Sequence, residues 1–157
     1  NMRINCKYKI LILLSIILIV FNSCVMDYKR SFHSIRNCSN DTLLICLTDS
    51  DSLEDWMYWG KNSEDTVGPL FTAYHVELSI HGKKELLNTL FCALPDSKPE
   101  AVFSIKKDTC YIYAIKWQVA TRYSMDEIRA RKLYDRRTVT KKDFTNCVFE
   151  YRTADSH

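Results

Sequence analysis

Two hydropathy regimes divide the chain. From Ile10 to Phe21 twelve residues run almost unbroken in apolar character, with only Ser15 interrupting. After Ser31 the pattern becomes short β-branched and aromatic runs separated by polar turns, the pattern of strands rather than helices. Phe32 to Arg36 predicts a first strand and "NCSND" a turn, with Asn and Asp standing in for glycine. Thr42 to Thr48 follows as a strand too continuously apolar to face water on either side. From Asp49 to Pro69 no period is sustained, and a short strand or helical turn is expected around Leu53 to Trp59. Tyr74 to Ile80 alternates, with Tyr74, Val76, Leu78 and Ile80 on one face, so it reads as a half-exposed strand.

"HGKK" predicts a tight turn using Gly82 at positive φ, and Glu85 to Cys92 returns as a strand or short helix. Cys110 to Val119 is the strongest strand signal, apolar on both faces, and is expected at the centre of a sheet. The period then changes. In "SMDE" Ser124 stands three residues before Glu127, the spacing of a capping box, and predicts a short helix over Met125 to Lys132 that packs Met125 and Ile128. Thr140 to Asp143 repeats the device more weakly, between strands at Leu133 to Val139 and Cys147 to Arg152. The fold class expected is mainly β: a two-layer antiparallel β-sandwich, immunoglobulin-like in style, with one short helix near residues 125–132.

The apolar run is short for a membrane span, which needs roughly 20 residues. Arg3, Lys7 and Lys9 precede it and Phe21-Asn22-Ser23 lead into Cys24, the order of a secretion signal, with Met2 as the initiator. "VFNSC" resembles a bacterial lipobox, in which a small residue (Ser23) precedes the cysteine (Cys24) that accepts a diacylglycerol, although Phe21 stands where leucine is usual. Acyl chains contribute roughly 0.8 kcal/mol per buried methylene, so two or three hold a protein durably on a bilayer. An uncleaved anchor and an ordinary cleaved signal are the alternatives. The organisation expected is a signal peptide over 1–23, a tether over 24–31, a single β-rich domain over 32–152 and a disordered tail over 153–157. The place expected is the cell envelope, lipid-anchored, the outer membrane rather than the inner.

Removing the signal changes the charge balance. The net charge of +3 comes from Arg3, Lys7 and Lys9; without them 19 basic residues face 19 acidic ones, which gives no general case for nucleic-acid binding. Charge is nevertheless segregated. Asp41 to Asp65 is acidic apart from Lys61, whereas Arg122 to Lys142 is basic apart from Asp126, Glu127 and Asp135. Beyond Cys6 and Cys24, five cysteines remain, an odd number without CxxC spacing; Cys46, Cys110 and Cys147 sit in apolar runs and read as small buried hydrophobes. Disulfides among the five stay open.

Chemistry-bearing motifs are sparse. Gly60, Gly68 and Gly82 are the three glycines, so the chain has no phosphate-cradling loop and no GxSxG elbow, and HExxH is also missing. His75 and His81 share a face of one strand but lie about 20 Å apart, too far to share a metal. "DSDSLED" has the oxygen density of a calcium loop but carries Glu54 and Gly60 where such a loop needs glycine and glutamate. No catalytic residue, cofactor or metal is expected. Two features suit recognition instead. Trp56, Tyr58 and Trp59 in "DWMYWG" could stack on a sugar or a partner's side chain, or else plug the end of the core. The basic stretch offers Arg122, Arg129, Arg136 and Arg137 beside Tyr123 and Tyr134, or simply a solvated face.

The order of "IRNCSNDTLLICL", "KKDTCYIYAIKW" and "YSMDEIRARKLYDRRTVTKKDFTNCVFEY" resembles a group of small lipoproteins of unknown function from Gram-negative gut bacteria. The resemblance runs over Phe32 to Tyr151 with a gap at Asp49 to Ala73; Met125, Asp126 and Phe144 replace the group's Trp, Glu and Leu. It implies a β domain behind a lipid anchor and assigns no activity. The function expected is a lipid-anchored recognition domain binding a protein or glycan without catalysis. The alternative is an immunity or inhibitor lipoprotein that neutralises a periplasm-delivered toxin, for which segregated charge would speed capture.

Overall fold

The computed structural model describes residues 32–60 and 74–153. The signal segment, Cys24, the tether, residues 61–73 and the end of the tail lie outside the described residues. Among the described residues ten strands form three small sheets. The central one holds β6 (Cys92–Ala93), β2 (Leu43–Thr48), β8 (Thr109–Lys116) and β9 (Asp135–Thr140) in that order. β8 lies inside it because both of its faces are apolar: Cys110, Ile112, Tyr113, Ala114 and Ile115 are all buried. It pairs antiparallel with β2 from Leu43↔Lys116 to Thr48↔Tyr111, and with β9 from Thr109↔Thr140 to Ala114↔Asp135.

β8 stops at Lys116, short of the Val119 that the sequence pattern suggests. Its neighbour β2 begins at Leu43, so beyond that point no ladder remains to satisfy the backbone. The amide of Trp117 donates to the carbonyl of Thr42 at 2.9 Å and the chain then turns into a helical segment, α2 (Trp117–Ala120), following α1 (Asp55–Tyr58). A third, α3 (Met125–Ala130), carries the expected capping box: the amide of Glu127 donates to Ser124 Oγ at 3.4 Å and that of Ser124 to Glu127 Oε2 at 3.1 Å. Such a cap contributes about 1 kcal/mol. Met125 and Ile128 are buried, and Lys132 at φ 53° ends the helix. Among the described residues three short helices thus stand where the fold class named one: α1 falls in the Leu53 to Trp59 stretch expected to hold a strand or helical turn, and α2 forms because the chain must reverse at the sheet's end.

The second sheet has the order β10 (Val148–Tyr151), β1 (Phe32–Asn37), β7 (Phe103–Ser104). β1 and β10 run parallel, from Ser34↔Val148 to Asn37↔Tyr151, which corrects the expectation of antiparallel pairing throughout. The first and last strands are joined by the whole domain, so no hairpin dictates their direction. β10 is entered by a two-residue turn in which Asn146 and Cys147 take φ 50° and 62° and Thr145 pairs with Val148. In the third sheet β5 (Lys83–Asn88) lies between β3 (Trp59–Gly60) and β4 (His75–Ile80). His81 and Gly82 form the β4–β5 turn at φ 50° and 75°, the conformation that suits a right-twisted hairpin. On β4 Ile80 is buried but Val76 is 40% exposed, so the alternation covers only its last residues. After β5 the chain forms a 3-10 turn, Thr89–Phe91, before β6.

A single cluster of buried side chains joins the elements. Asn37 is fully buried as well: Nδ2 donates to the carbonyls of Asp41 (2.7 Å) and Ala93 (3.0 Å), and Oδ1 accepts from Ser39 N (3.0 Å) and Ser39 Oγ (2.6 Å). "NCSND" is therefore a turn organised by one side chain, and that side chain also ties β1 to β6. Cys38, Cys46, Cys92, Cys110 and Cys147 are free thiols.

Candidate functional site

The two charged segments that are separate in sequence meet in the fold. Arg136 on β9 grips Asp51 through Nε (2.5 Å) and Nη2 (2.6 Å), and lies over the ring of Tyr111, 4.9 Å from its centroid. Tyr113 donates its hydroxyl to the same Asp51 at 2.8 Å. Arg129 on α3 pairs with Asp55 and, at 2.6 Å, with Asp126. Asp49 receives the amide of Lys106 at 3.0 Å. Two of the four arginines expected to face a partner thus hold the acidic loop against the domain. Arg137 is turned inward over Tyr151, 4.4 Å from the ring centroid, and pairs with Asp135 at 2.9 Å. Arg122 is exposed and makes no ion pair among the described residues.

The aromatic candidates divide differently. Tyr58 is fully buried, its hydroxyl donating to the carbonyl of Tyr113 at 2.7 Å, and Trp59 is 7% exposed. Both are core side chains rather than an exposed anchor; the side chain of Trp56 lies outside the described residues. α1 turns Tyr58 down onto β8, which is why that aromatic is buried although its sequence surroundings are polar.

The ion pairs set a pH response. Hydrogen bonds from Arg136 and then Tyr113 hold the Asp51 carboxyl below its ordinary range; the Ser124 amide does the same for Glu127 and the Thr140 amide for Asp143. A carboxyl depressed in the folded state contributes stability above its unfolded value, about 4, and loses it as pH falls through the folded value. The melting temperature is therefore expected to hold from neutral pH down to about pH 4 and then to fall. Glu85 acts oppositely, since burial raises its carboxyl and protonation relieves it. Melts across pH check this: Asp51→Asn should flatten the acid limb, and an unaltered limb would remove Asp51 from the account.

Among the described residues two concavities stand out. A cleft of about 310 Å³ opens where β2 begins and β8 ends. Leu43, Ala114, Val119 and Leu133 make its lining apolar, and Tyr134 and Tyr151 supply aromatic surface. Its charged margin is fixed in place: Lys116 pairs with Asp41 at 2.8 Å, while Asp135 accepts from Arg137 and, at 2.5 Å, from the Tyr151 hydroxyl. Burial followed by Asp135 pushes the Tyr151 phenol well up, so it stays a donor. Of the residues singled out in the sequence Tyr134 and Arg137 line this cleft. Leu133 is readable as a strand residue, and nothing local marks either it or Tyr134 as a wall.

The second concavity, about 590 Å³, is a polar groove beside β1 and β10, with Arg36, Lys98, Asn146 and Phe149 in its lining. Neither space gathers a nucleophile with a base. Burial pushes the Cys46 and Cys110 thiols up to about 12, Asp49 adding to the effect at Cys110, so both stay protonated near neutral pH. Among the described residues no group of His, Cys, Asp or Glu is placed to hold a metal ion, and no helix is long and apolar enough to cross a membrane. Compared with protein-family models, curated proteins and solved structures, the chain matches none.

Proposed function

We propose that the protein is a lipid-anchored recognition domain of the cell envelope, held by an acylated Cys24 and binding a protein partner through the cleft around Leu133 and Tyr134. The cleft is the observation that carries this reading. Concave apolar surface with a few fixed polar groups is the usual form of a binding site, and here the polar groups are immobilised before any partner arrives, which lowers the entropic cost of binding. Its mainly aliphatic lining suits an apolar side chain of a protein better than a sugar. The two-layer, immunoglobulin-like packing belongs to the same proposal, supported by the bond from Tyr151 on β10 to Asp135 on β9. The inhibitor alternative drew its motive from segregated charge; part of that charge is engaged within the molecule, at Asp51–Arg136 and Asp55–Arg129.

The test uses the full chain in cells. Fatty-acid labelling that is lost in Cys24→Ser supports the anchor, and equal labelling in that variant removes it. For the cleft, Leu133→Arg places a charge on a half-buried wall position. A photo-crosslinker at Val119 should join one envelope protein in the otherwise natural chain and lose that adduct in the Leu133→Arg form at equal abundance. An adduct that persists, or none at all, would overturn the cleft as the binding surface.

A further inference from the structure

The groove beside β1 and β10 differs from the cleft in chemistry. Two cations, Arg36 on β1 and Lys98 in the loop after β6, line it, and neither makes an ion pair or side-chain hydrogen bond among the described residues. Its two carboxylates are already engaged. Asp143 Oδ2 accepts from the Thr140 amide at 2.6 Å and the Thr140 hydroxyl at 2.9 Å, and Glu150 pairs with Arg152 at 2.9 Å. With Glu150 offset by Arg152, Arg36 and Lys98 outweigh Asp143. Asn146 is exposed with its amide unused by the described residues, and Phe149, half-buried against Phe144 with ring centroids 5.7 Å apart, presents aromatic surface to the groove.

We propose that this groove binds an anionic oligosaccharide, one whose pyranose rings carry carboxylate or sulfate groups. Arg36 and Lys98 meet the anionic substituents through charge-assisted hydrogen bonds, which are the stronger kind. The Asn146 amide can both donate to and accept from ring hydroxyls. Phe149 offers the flat apolar face on which the C–H side of a sugar ring packs. The volume of about 590 Å³ lies within the range of small-ligand sites.

An acidic peptide is the competing occupant, and the strand edge argues against it. A peptide binds a sheet edge by continuing its backbone ladder. The carbonyls of Cys147, just before β10, and of Tyr151 face β1, accepting from Ser34 and Cys38, and Val148 exchanges both of its backbone bonds with Thr145. Among Val148 to Tyr151 that leaves Glu150 facing outward, too little edge to seat a strand. Recognition here rests on side chains, as it does for a sugar.

Calorimetric titration of the full chain in detergent tests the proposal, with an oligogalacturonate as the carboxylate probe, a heparin-derived oligosaccharide as the sulfate probe and a maltooligosaccharide as the neutral control. One anionic probe should bind, which one telling carboxylate from sulfate, and its affinity should fall as salt rises. Arg36→Gln with Lys98→Gln should weaken it by about tenfold or more, and Phe149→Leu should weaken it while preserving apolar volume. Leu133→Arg should leave it unchanged, so failure of the cleft and failure of the groove are separable. The proposal is overturned if neither anionic probe binds, if the neutral sugar binds as well, if the double variant binds normally, or if oligoglutamate binds as tightly as the saccharide.

Discussion

Asn37→Asp is expected to destabilise the domain by about 3 to 5 kcal/mol, enough to leave much of it unfolded. The exchange is nearly isosteric, so the loss isolates chemistry from packing. Asn37 is fully buried and its amide nitrogen donates to two carbonyls, those of Asp41 and Ala93. In the aspartate that nitrogen becomes an oxygen, both bonds turn into lone-pair repulsions, and the carboxyl must either hold a charge without water or take up a proton. The oxygen that accepts from Ser39 is retained, so the turn itself keeps its acceptor. The damage therefore falls on the link between β1, the β1–β2 turn and β6. Urea denaturation of the full chain in detergent measures it; a loss under about 1 kcal/mol would mean that the two donor bonds do not matter. Acidification should reduce the defect, because a neutral carboxyl regains one donor.

Elements whose hydropathy pattern is decided by burial on both faces are legible in the amino-acid sequence alone. β2 and β8 are examples, since a run such as "LLICL" has no polar position to give to water. The capping box at Ser124 is legible for another reason: its two partners lie within one turn, so spacing alone determines the contact. Pairings between distant segments carry no such local mark. Nothing in "CVFEY" tells that β10 will run parallel beside β1, and nothing in Lys116 tells that the ladder ends there.

The same distinction governs the candidate sites. Arg129 and Arg136 look available when charge is read along the chain, whereas their partners Asp55 and Asp51 come from the opposite charge block. Complementary blocks of similar size are a signal that the two can neutralise each other. Arg36 and Lys98 carry no signal at all, because each is a lone cation in its own stretch and only the fold sets them on one groove. The proposed binding surfaces are for that reason mostly residues that no sequence pattern marks.

Truncating Tyr58 to alanine is expected to cost about 3 to 5 kcal/mol, and Trp59 a similar amount, lowering the melting temperature by about 10 °C or more in each case. Tyr58 is fully buried, packs on Phe91 with centroids 5.9 Å apart, and donates its hydroxyl to the Tyr113 carbonyl. Two conservative variants separate the contributions. Tyr58→Phe keeps the ring and removes only the hydroxyl bond, so it should cost about 1 to 2 kcal/mol. Trp59→Phe removes an indole N–H that is buried without a partner among the described residues, so its penalty should be confined to lost volume. An aromatic anchor on the surface behaves otherwise: truncation leaves the melt almost unaltered and abolishes binding. Alanine variants of Tyr58 and Trp59 that melt like the natural chain would return the pair to the surface. The expected drop assigns them instead to the core, where Tyr58 bonds to β8, the strand whose end, at Ala114 and Lys116, forms one wall of the cleft. Their substitution should then weaken partner capture only as far as it unfolds the domain.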